Sequence, residues 1–292
     1  MFKGAITAIV TPFTEKGEID ERSLRKLVEF QIKNKIDGIV PCGTTGESPT
    51  LDYDEHQQVI ETVIDAVSSK VLVIAGTGSN SVREAIEMTK KAADAGADAS
   101  LQVCPYYNKP TQEGLYRHFS EIAKAVDIPL IIYNIHGRTG VNMETSTLAR
   151  LSKEHSNIIG VKEASGNIAQ MMDVIRELPN NFTVLSGDDN MTLPLMALGG
   201  KGVISVASNI IPKEMHELTQ HALNGNFEEA RKMHYELLPL FKGIFIETNP
   251  IPIKAALAMK GMIKESYRLP MCEMKAENKE KLRQILKNLK II

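Results

Sequence analysis

The stretch AITAIVTPFTEKGEID, residues 5–20, contains the first strand-like run of the chain and the loop that follows it. The run AITAIV is apolar and β-branched, which is typical of a buried strand. An open α/β sheet that binds a dinucleotide carries a glycine-rich fingerprint directly after its first strand. The loop here has a single glycine, Gly17, and no such fingerprint. The stretch therefore predicts a buried parallel strand, and it does not support a dinucleotide-binding open sheet.

Seven similar runs follow, and they begin near Asp37, Lys70, Ala99, Pro129, Asn157, Phe182 and Gly202. The segments between them have helical periodicity, as in residues 23–35, 54–69 and 81–96. Nearly continuous apolar strands that alternate with helices are typical of a parallel sheet covered by helices on its faces. Eight strand–helix units are the number that closes a (β/α)8 TIM barrel, whereas a doubly wound open sheet usually has fewer strands. We therefore predict an α/β protein with a closed barrel.

The strand pattern stops at about Pro212, and the remaining segments have only helical patterns. No low-complexity linker separates the two parts. We predict a catalytic barrel over residues 1–225 and a C-terminal helical appendage over residues 226–292.

Charge and cysteine content exclude several classes of function. The formal net charge is -2 and no basic block is present, which gives no electrostatic support for binding to nucleic acid or to a membrane surface. The three cysteines, Cys42, Cys104 and Cys272, are scattered and form neither a disulfide framework nor a zinc-ligand spacing. No run reaches the ~18 apolar residues that span a membrane. We expect a cytoplasmic protein.

Lys162 is the most unusual residue in a strand-like run. It lies near the end of IIGVKEAS, residues 158–165, and burial of an unpaired ammonium group is costly. One interpretation is a structural ion pair with Glu163 or Asp188, although Glu163 points to the opposite face of a strand. The other interpretation is a nucleophile, because desolvation lowers a lysine pKa and frees the amine to form an imine. The strand pattern alone leaves both open.

Two other strand ends carry candidate residues, and in a barrel of this type the active site lies at these ends. Thr44 and Thr45 stand between glycines and could hold a carboxylate, or form a plain turn. Tyr133 could transfer protons, or pack with its hydroxyl bonded. Arg138 could bind a carboxylate through two parallel hydrogen bonds, or form a surface ion pair. No cluster at the strand ends has metal-ligand spacing, so we predict no metal site.

Six motifs at these strand ends stand in the order and spacing of one family: GTTGES, CPYYNKPTQEGLYRHF, YNIHGRTG, GVKEASGN, LSGDD and GGKGVISVASN. The chain resembles the dihydrodipicolinate synthase family, within the pyruvate-dependent class I aldolases, over essentially its whole length. The resemblance implies a lyase in which pyruvate forms an imine with Lys162. The enamine then attacks L-aspartate 4-semialdehyde, and the product is 4-hydroxytetrahydrodipicolinate, a precursor of lysine and diaminopimelate. The imine is itself the electron sink, so no cofactor is expected.

The resemblance also implies a role for each residue that matches a family motif. Thr44, Tyr133 and Tyr107 match a proton relay, in which Tyr107 comes from a neighbouring subunit of a homotetramer, a dimer of dimers. Thr45 matches the contact to the pyruvate carboxylate, near the backbone of Gly187 and Ile204. Arg138 matches the residue that receives the carboxylate of the semialdehyde, and His136 replaces the proline usual in that loop.

A possible site for L-lysine as an inhibitor is implied by another set of matches, namely Ser48, His56, Asn80, Glu84 and Tyr106. Tyr53 stands where inhibited bacterial members commonly carry histidine. The alternative is that this set only packs in a subunit interface.

Two other functions are considered. A related lysine-imine enzyme, such as N-acetylneuraminate lyase or a 2-keto-3-deoxy sugar acid aldolase, would share GTTGE, the tyrosine and the lysine. The arginine of GRTG and the double tyrosine of PYYNKP favour the synthase. A non-catalytic barrel that binds carboxylates is the third possibility, but binding alone needs no imine-forming lysine.

Overall fold

The computed structural model describes residues 2–292. Its centre is a closed barrel of eight parallel strands, each paired with its neighbours in chain order, and β8 pairs with β1. The strands are β1 to β8: Gly4–Ala8, Gly38–Val40, Leu72–Gly76, Ala99–Val103, Leu130–Asn134, Ile158–Glu163, Thr183–Ser186 and Gly202–Ser205. Each of the eight predicted runs overlaps one of these strands, so the barrel prediction is confirmed.

The helices cover the outside of the barrel and build the C-terminal region. The first nine, α1 to α9, are Glu21–Lys33, Tyr53–Val67, Val82–Asp94, Gln112–Ala125, His136–Thr139, Thr145–Glu154, Ile168–Glu177, Thr192–Ala197 and Pro212–Leu223. The last three, α10 to α12, are Phe227–Gly243, Ile251–Met259 and Ala276–Asn288. No helix within residues 2–292 is long and apolar enough to cross a membrane.

Local sequence explains where several helices begin and end. Asp20 caps α1 by accepting a hydrogen bond from the backbone N–H of Ser23. Asp52 and Glu55 form a capping box at the start of α2, in which each side chain accepts from the other's backbone N–H. Gly96, two residues after α3, has a φ of +99°, which favours glycine. These signals place the helices between the strands that the apolar runs define.

The barrel interior is a packed apolar core. It contains fully buried side chains from several strands, including Ile6, Val40, Ile74, Ile131 and Leu185. Residues on the other face of each strand pack against the helices. Both faces of the sheet are thus covered, which explains why the strands are apolar nearly throughout.

The C-terminal region packs against the barrel. Seven consecutive residues at the start of α11, from Ile251 to Leu257, are buried. Helix α12 lies close to Gly243 at the end of α10, where an added Cβ would lie 2.8 Å from Ile285 Cδ1. The division of the chain at residue 225 stays a prediction, because one apolar core contains residues from both sides of it.

Candidate active site

Lys162 lies at the carboxyl end of β6 and is 6% exposed. Its Nζ stands 4.0 Å from the ring centroid of Tyr133, which occupies the paired position on β5. Burial lowers the pKa of Lys162 from 10.5 to about 8, and the charges of Asp188 and Asp189 partly oppose this shift. A larger fraction of the amine is therefore neutral at pH 7 than in an ordinary lysine, and the neutral amine is the form that acts as a nucleophile.

The structure distinguishes the two interpretations of Lys162. Among residues 2–292, no carboxylate oxygen lies within 4.0 Å of its Nζ. Glu163 points to the other face of the strand, where it accepts hydrogen bonds from Asn134 Nδ2 at 3.2 Å and from the backbone N–H of Ser165 at 2.7 Å. Asp188 is half-buried and acts on Lys162 only through longer-range charge. The geometry favours a reactive amine over a structural ion pair.

Space beside Lys162 depends on Gly187, which follows β7. A Cβ at this position would lie 3.1 Å from Lys162 Cε and 2.6 Å from Ala164 Cβ. Ile204, on β8, is fully buried in the barrel interior. Of the two residues that the resemblance assigned to the pyruvate site, Gly187 thus follows the strand next to that of Lys162, and Ile204 lies one strand further around the barrel.

The loop after β2 carries Thr44 and Thr45 in a tight turn. The backbone N–H of Gly46 donates to Gly43 O at 3.1 Å, and that of Glu47 donates to Thr44 O at 3.1 Å. The Thr44 side chain lies close to that of Tyr133. Burial raises the pKa of Tyr133, so its phenol is protonated at neutral pH and can donate. Thr45 is buried, and its hydroxyl oxygen accepts from Asn249 Nδ2 at 3.0 Å.

Arg138 lies on the single turn of α5, which follows β5. Its Nη2 donates to the backbone oxygen of Asn249 at 3.1 Å. The side chain is otherwise open to a cavity of about 590 Å³ that Thr44 and Tyr133 also line. Lys162 is not part of the cavity wall, but its Nζ lies 4.0 Å from the centroid of the Tyr133 ring, which is part of that wall.

The same cavity extends to most of the predicted L-lysine site. Ser48, His56, Glu84 and Tyr106 line it, and Asn80 adjoins it by donating to Tyr106 O at 3.2 Å. Glu84 accepts a hydrogen bond from Ser79 Oγ at 2.8 Å, and bonds from Ser79 and Tyr53 lower its pKa. One cavity therefore connects Thr44, Tyr133 and Arg138 with most of the predicted L-lysine site.

Tyr107 is the predicted residue that the structure does not bring to the site. Its side chain is 90% exposed, its φ is +73°, and it is absent from the cavity wall. Its neighbour Tyr106 does line the cavity. Tyr107 thus extends away from the active site of its own chain.

Sequence reasoning missed Asn249, which contacts Thr45 with its side chain and Arg138 with its backbone. It also missed a buried ion pair next to the threonine loop, between Lys254 Nζ and Glu47 Oε1 at 2.5 Å. A signal for that pair is present: Lys254 stands in the apolar run IPIKAALAM, as Lys162 stands in IIGVKEAS. The described residues contain no group of three His, Cys, Asp or Glu side chains arranged to hold a metal ion.

A comparison with family models matches residues 1–289 to the dihydrodipicolinate synthetase family. The chain belongs to this family. Curated members include the 4-hydroxy-tetrahydrodipicolinate synthases of Thermodesulfovibrio yellowstonii, 59% identical, and of Hydrogenobaculum sp., 55% identical, both over the full length of each chain. The family resemblance found in the sequence is thereby confirmed.

Solved structures in the family have the same fold. The dihydrodipicolinate synthase of Aquifex aeolicus has a TM-score of 0.98 and 51% identity over 99% of each chain. That of Acinetobacter baumannii, solved in complex with pyruvate, has a TM-score of 0.98 and 46% identity over the whole of both chains. That of Cyanidioschyzon merolae, solved with lysine bound, has a TM-score of 0.97 and 44% identity over 100% of this chain and 99% of that one.

Proposed function

We propose that this chain condenses pyruvate with L-aspartate 4-semialdehyde through an imine on Lys162 and forms 4-hydroxytetrahydrodipicolinate. The observation that most strongly supports this function is the environment of Lys162. The residue is buried, no carboxylate oxygen lies within 4.0 Å of its Nζ, and the Nζ packs on the Tyr133 ring. This lysine lies in a chain that shares 55–59% identity over its full length with synthases of this activity. The enzyme is a lyase of the class I aldolase type.

The reaction begins at the neutral amine of Lys162. The amine attacks the ketone carbon of pyruvate, the carbon–oxygen bond breaks with loss of water, and an imine forms. Loss of a methyl proton then gives the enamine, whose carbon attacks the aldehyde of the second substrate. The amine of that substrate displaces Lys162 from the imine carbon and closes the ring, which restores the free lysine. The imine stores the electron pair, so these steps draw on no external cofactor.

Several proton transfers accompany these steps, and we assign them to Thr44 and Tyr133. Their side chains lie close to each other, and the amine of Lys162 lies over the Tyr133 ring. A hydroxyl chain of this kind can pass protons between the site and solvent. Thr45 is proposed to hold the pyruvate carboxylate, beside the backbone of Gly187 and Ile204. Arg138 is proposed to bind the carboxylate of the semialdehyde, as a guanidinium does through paired hydrogen bonds.

A homotetramer is proposed as the working assembly. Tyr107 is 90% exposed in one chain, and aromatic side chains are enriched at protein interfaces. Ile168, Met172 and Leu198 are further exposed apolar side chains, on or next to α7 and α8. In this proposal Tyr107 completes the proton relay of a neighbouring subunit. Sedimentation of the purified protein tests the assembly, since a single 32.2 kDa species at working concentration would contradict it.

L-Lysine is proposed as an inhibitor. Support comes from the cavity that Ser48, His56, Glu84 and Tyr106 line, and from the lysine-bound structure of the Cyanidioschyzon merolae relative. Glu84 supplies a carboxylate that suits an ammonium group. Titration of the activity with L-lysine tests the proposal, and an unchanged rate at millimolar L-lysine would remove it.

A coupled assay with both substrates tests the central function. We expect product formation that depends on pyruvate and on L-aspartate 4-semialdehyde together. Absence of this reaction, with cleavage of a sialic acid or a keto-deoxy sugar acid instead, would assign the chain to another lysine-imine activity.

A further inference from the structure

The segment Asn249–Lys254, with the sequence NPIPIK, reaches the active site from the C-terminal region. Its first residue, Asn249, is 5% exposed and donates from Nδ2 to Thr45 Oγ1 at 3.0 Å. The Thr45 hydroxyl oxygen is the acceptor in this contact, so the hydroxyl hydrogen of Thr45 takes no part in it. The Thr45 O–H is therefore left free to donate to an anion.

The backbone of Asn249 makes a separate contact. Its carbonyl oxygen accepts from Arg138 Nη2 at 3.1 Å. One residue thus contacts the two side chains that are proposed to hold the two substrate carboxylates. The two contacts use different atoms, so a side-chain substitution at Asn249 removes only the contact to Thr45.

Lys254 fixes the other end of the segment. Its Nζ pairs with Glu47 Oε1 at 2.5 Å, and both side chains are fully buried, with exposures of 0% and 1%. Lys254 Nζ also lies 4.3 Å from the ring centroid of Phe13. Glu47 comes two residues after Thr45 and has a left-handed backbone, with a φ of 54°. A buried charge pair of this kind resists separation, because either partner alone would be left as an unpaired buried charge.

Arg268 holds the same loop from a third point in the C-terminal region. Its guanidinium donates to both carboxylate oxygens of Glu55, each at 2.6 Å, and to the backbone oxygen of Thr50 at 2.8 Å. The chain from Thr45 to Glu55 is therefore tied to the C-terminal region at its start, middle and end. Such a set of contacts is suited to hold catalytic side chains in place.

We propose that Asn249 is a positioning residue, held by the Lys254–Glu47 pair, which orients the Thr45 hydroxyl to donate to the pyruvate carboxylate. The inference rests on the proposed function, because it takes Thr45 as the contact to that carboxylate. Asn249 acts through Thr45 and supplies no atom to the reaction.

A double-mutant cycle tests the inference with the full-length enzyme: Thr45→Val, Asn249→Ala and the double variant, with KM measured for both substrates. We expect Asn249→Ala to raise the pyruvate KM about tenfold, since loss of orientation weakens one hydrogen bond to a charged group. The semialdehyde KM should stay within about twofold of the wild type, because alanine keeps the backbone carbonyl that Arg138 contacts. In the Thr45→Val background, Asn249→Ala should add less than about a twofold change.

Asn157→Ala is the matched control. The Asn157 side chain donates to Ala123 O and Val126 O, each at 2.9 Å, and precedes β6 at the opposite end of the barrel. Its loss should lower stability and leave both KM values unchanged. If Asn249→Ala fails to fold, Asn249→Ser, whose side chain is too short to reach Thr45, replaces it in the cycle.

Two results would overturn the inference. Additive effects on the pyruvate KM, or equal increases in both KM values, would show a general structural role instead of action through Thr45. Reduction of the wild type with borohydride in the presence of pyruvate shows whether the positioning role alone is wrong or whether the proposed function is wrong as well. Labelling of Lys162 together with additive effects contradicts the positioning role alone, whereas absence of labelling contradicts both.

Discussion

Substitution of Asp188 by asparagine should move the acidic limb of imine formation to lower pH. The Asp188 carboxylate is the largest effect that raises the pKa of Lys162 against burial, which sets that pKa at about 8. Burial raises the pKa of Asp188 itself to about 6, so the group is anionic where the enzyme forms its imine. No hydrogen bond to the Asp188 carboxylate is found within residues 2–292, so the near-isosteric asparagine should leave the fold intact.

The size of the shift follows from charge and distance. An opposite charge at 4–6 Å shifts a pKa by about 1–3 units, and Asp188 lies beyond 4.0 Å of Nζ, so we take about one unit. With a pKa of about 8, roughly a tenth of the Lys162 amine is neutral at pH 7. A shift to about 7 makes roughly half of it neutral, which raises the rate of imine formation at pH 7 about fivefold.

The assay is the rate of borohydride-trapped pyruvate labelling across pH 5.5 to 9.5, a range of about two units on either side of the expected midpoints. Asp173→Asn is the control, because it removes the same charge from an exposed carboxylate that pairs with Arg176 on the outer surface. The control should keep the wild-type midpoint. An unmoved midpoint in Asp188→Asn, or one that moves to higher pH, would refute the electrostatic account of Lys162.

Three further variants test other parts of the account. Lys254→Met should destabilise the protein by about 3–5 kcal/mol, since it leaves the Glu47 carboxylate buried without its cation; a urea midpoint near that of the wild type would contradict this. Gly187→Ala should slow pyruvate labelling, because its Cβ would lie 3.1 Å from Lys162 Cε, and an unchanged labelling rate would show that the amine tolerates the crowding. Arg138→Ala should impair use of the semialdehyde far more than imine formation, so equal losses in the coupled assay and in labelling would remove its assigned role.

Much of the fold could be predicted because the barrel is a repetitive structure. Each buried parallel strand corresponds to an apolar run in the sequence. The loop after residues 5–10 lacks the glycine fingerprint of a dinucleotide-binding open sheet, which is the main alternative fold. The C-terminal region was harder to predict. Its segments have helical periodicity, and the apolar run of α11 indicates a buried helix, but no sequence pattern shows that this helix packs against the barrel.

The sequence does not distinguish the two buried lysines of this protein, although their roles differ. Lys162 and Lys254 both stand in apolar runs, and burial lowers the pKa of each. Lys254 is paired with Glu47, which is 207 residues away in the chain, whereas Lys162 has no carboxylate within 4.0 Å among the described residues. A pairing over that separation leaves no trace in local sequence, so only the folded chain tells the structural lysine from the reactive one.

Asn249 was missed for a related reason. A single asparagine before a proline is typical of a turn, and its contact to Thr45 joins positions 204 residues apart. Tyr107 presents the opposite case. Its role was inferred only from the family resemblance. The exposure of Tyr107 in a single chain does not test whether it enters the active site of a neighbouring subunit.

Mass analysis of the pyruvate adduct tests the central claim most directly. The protein is incubated with pyruvate, reduced with borohydride, digested and sequenced by mass spectrometry. The account predicts one pyruvate-derived adduct, on Lys162, and none on the ion-paired Lys254. An unmodified Lys162, or an adduct on another lysine, would contradict it.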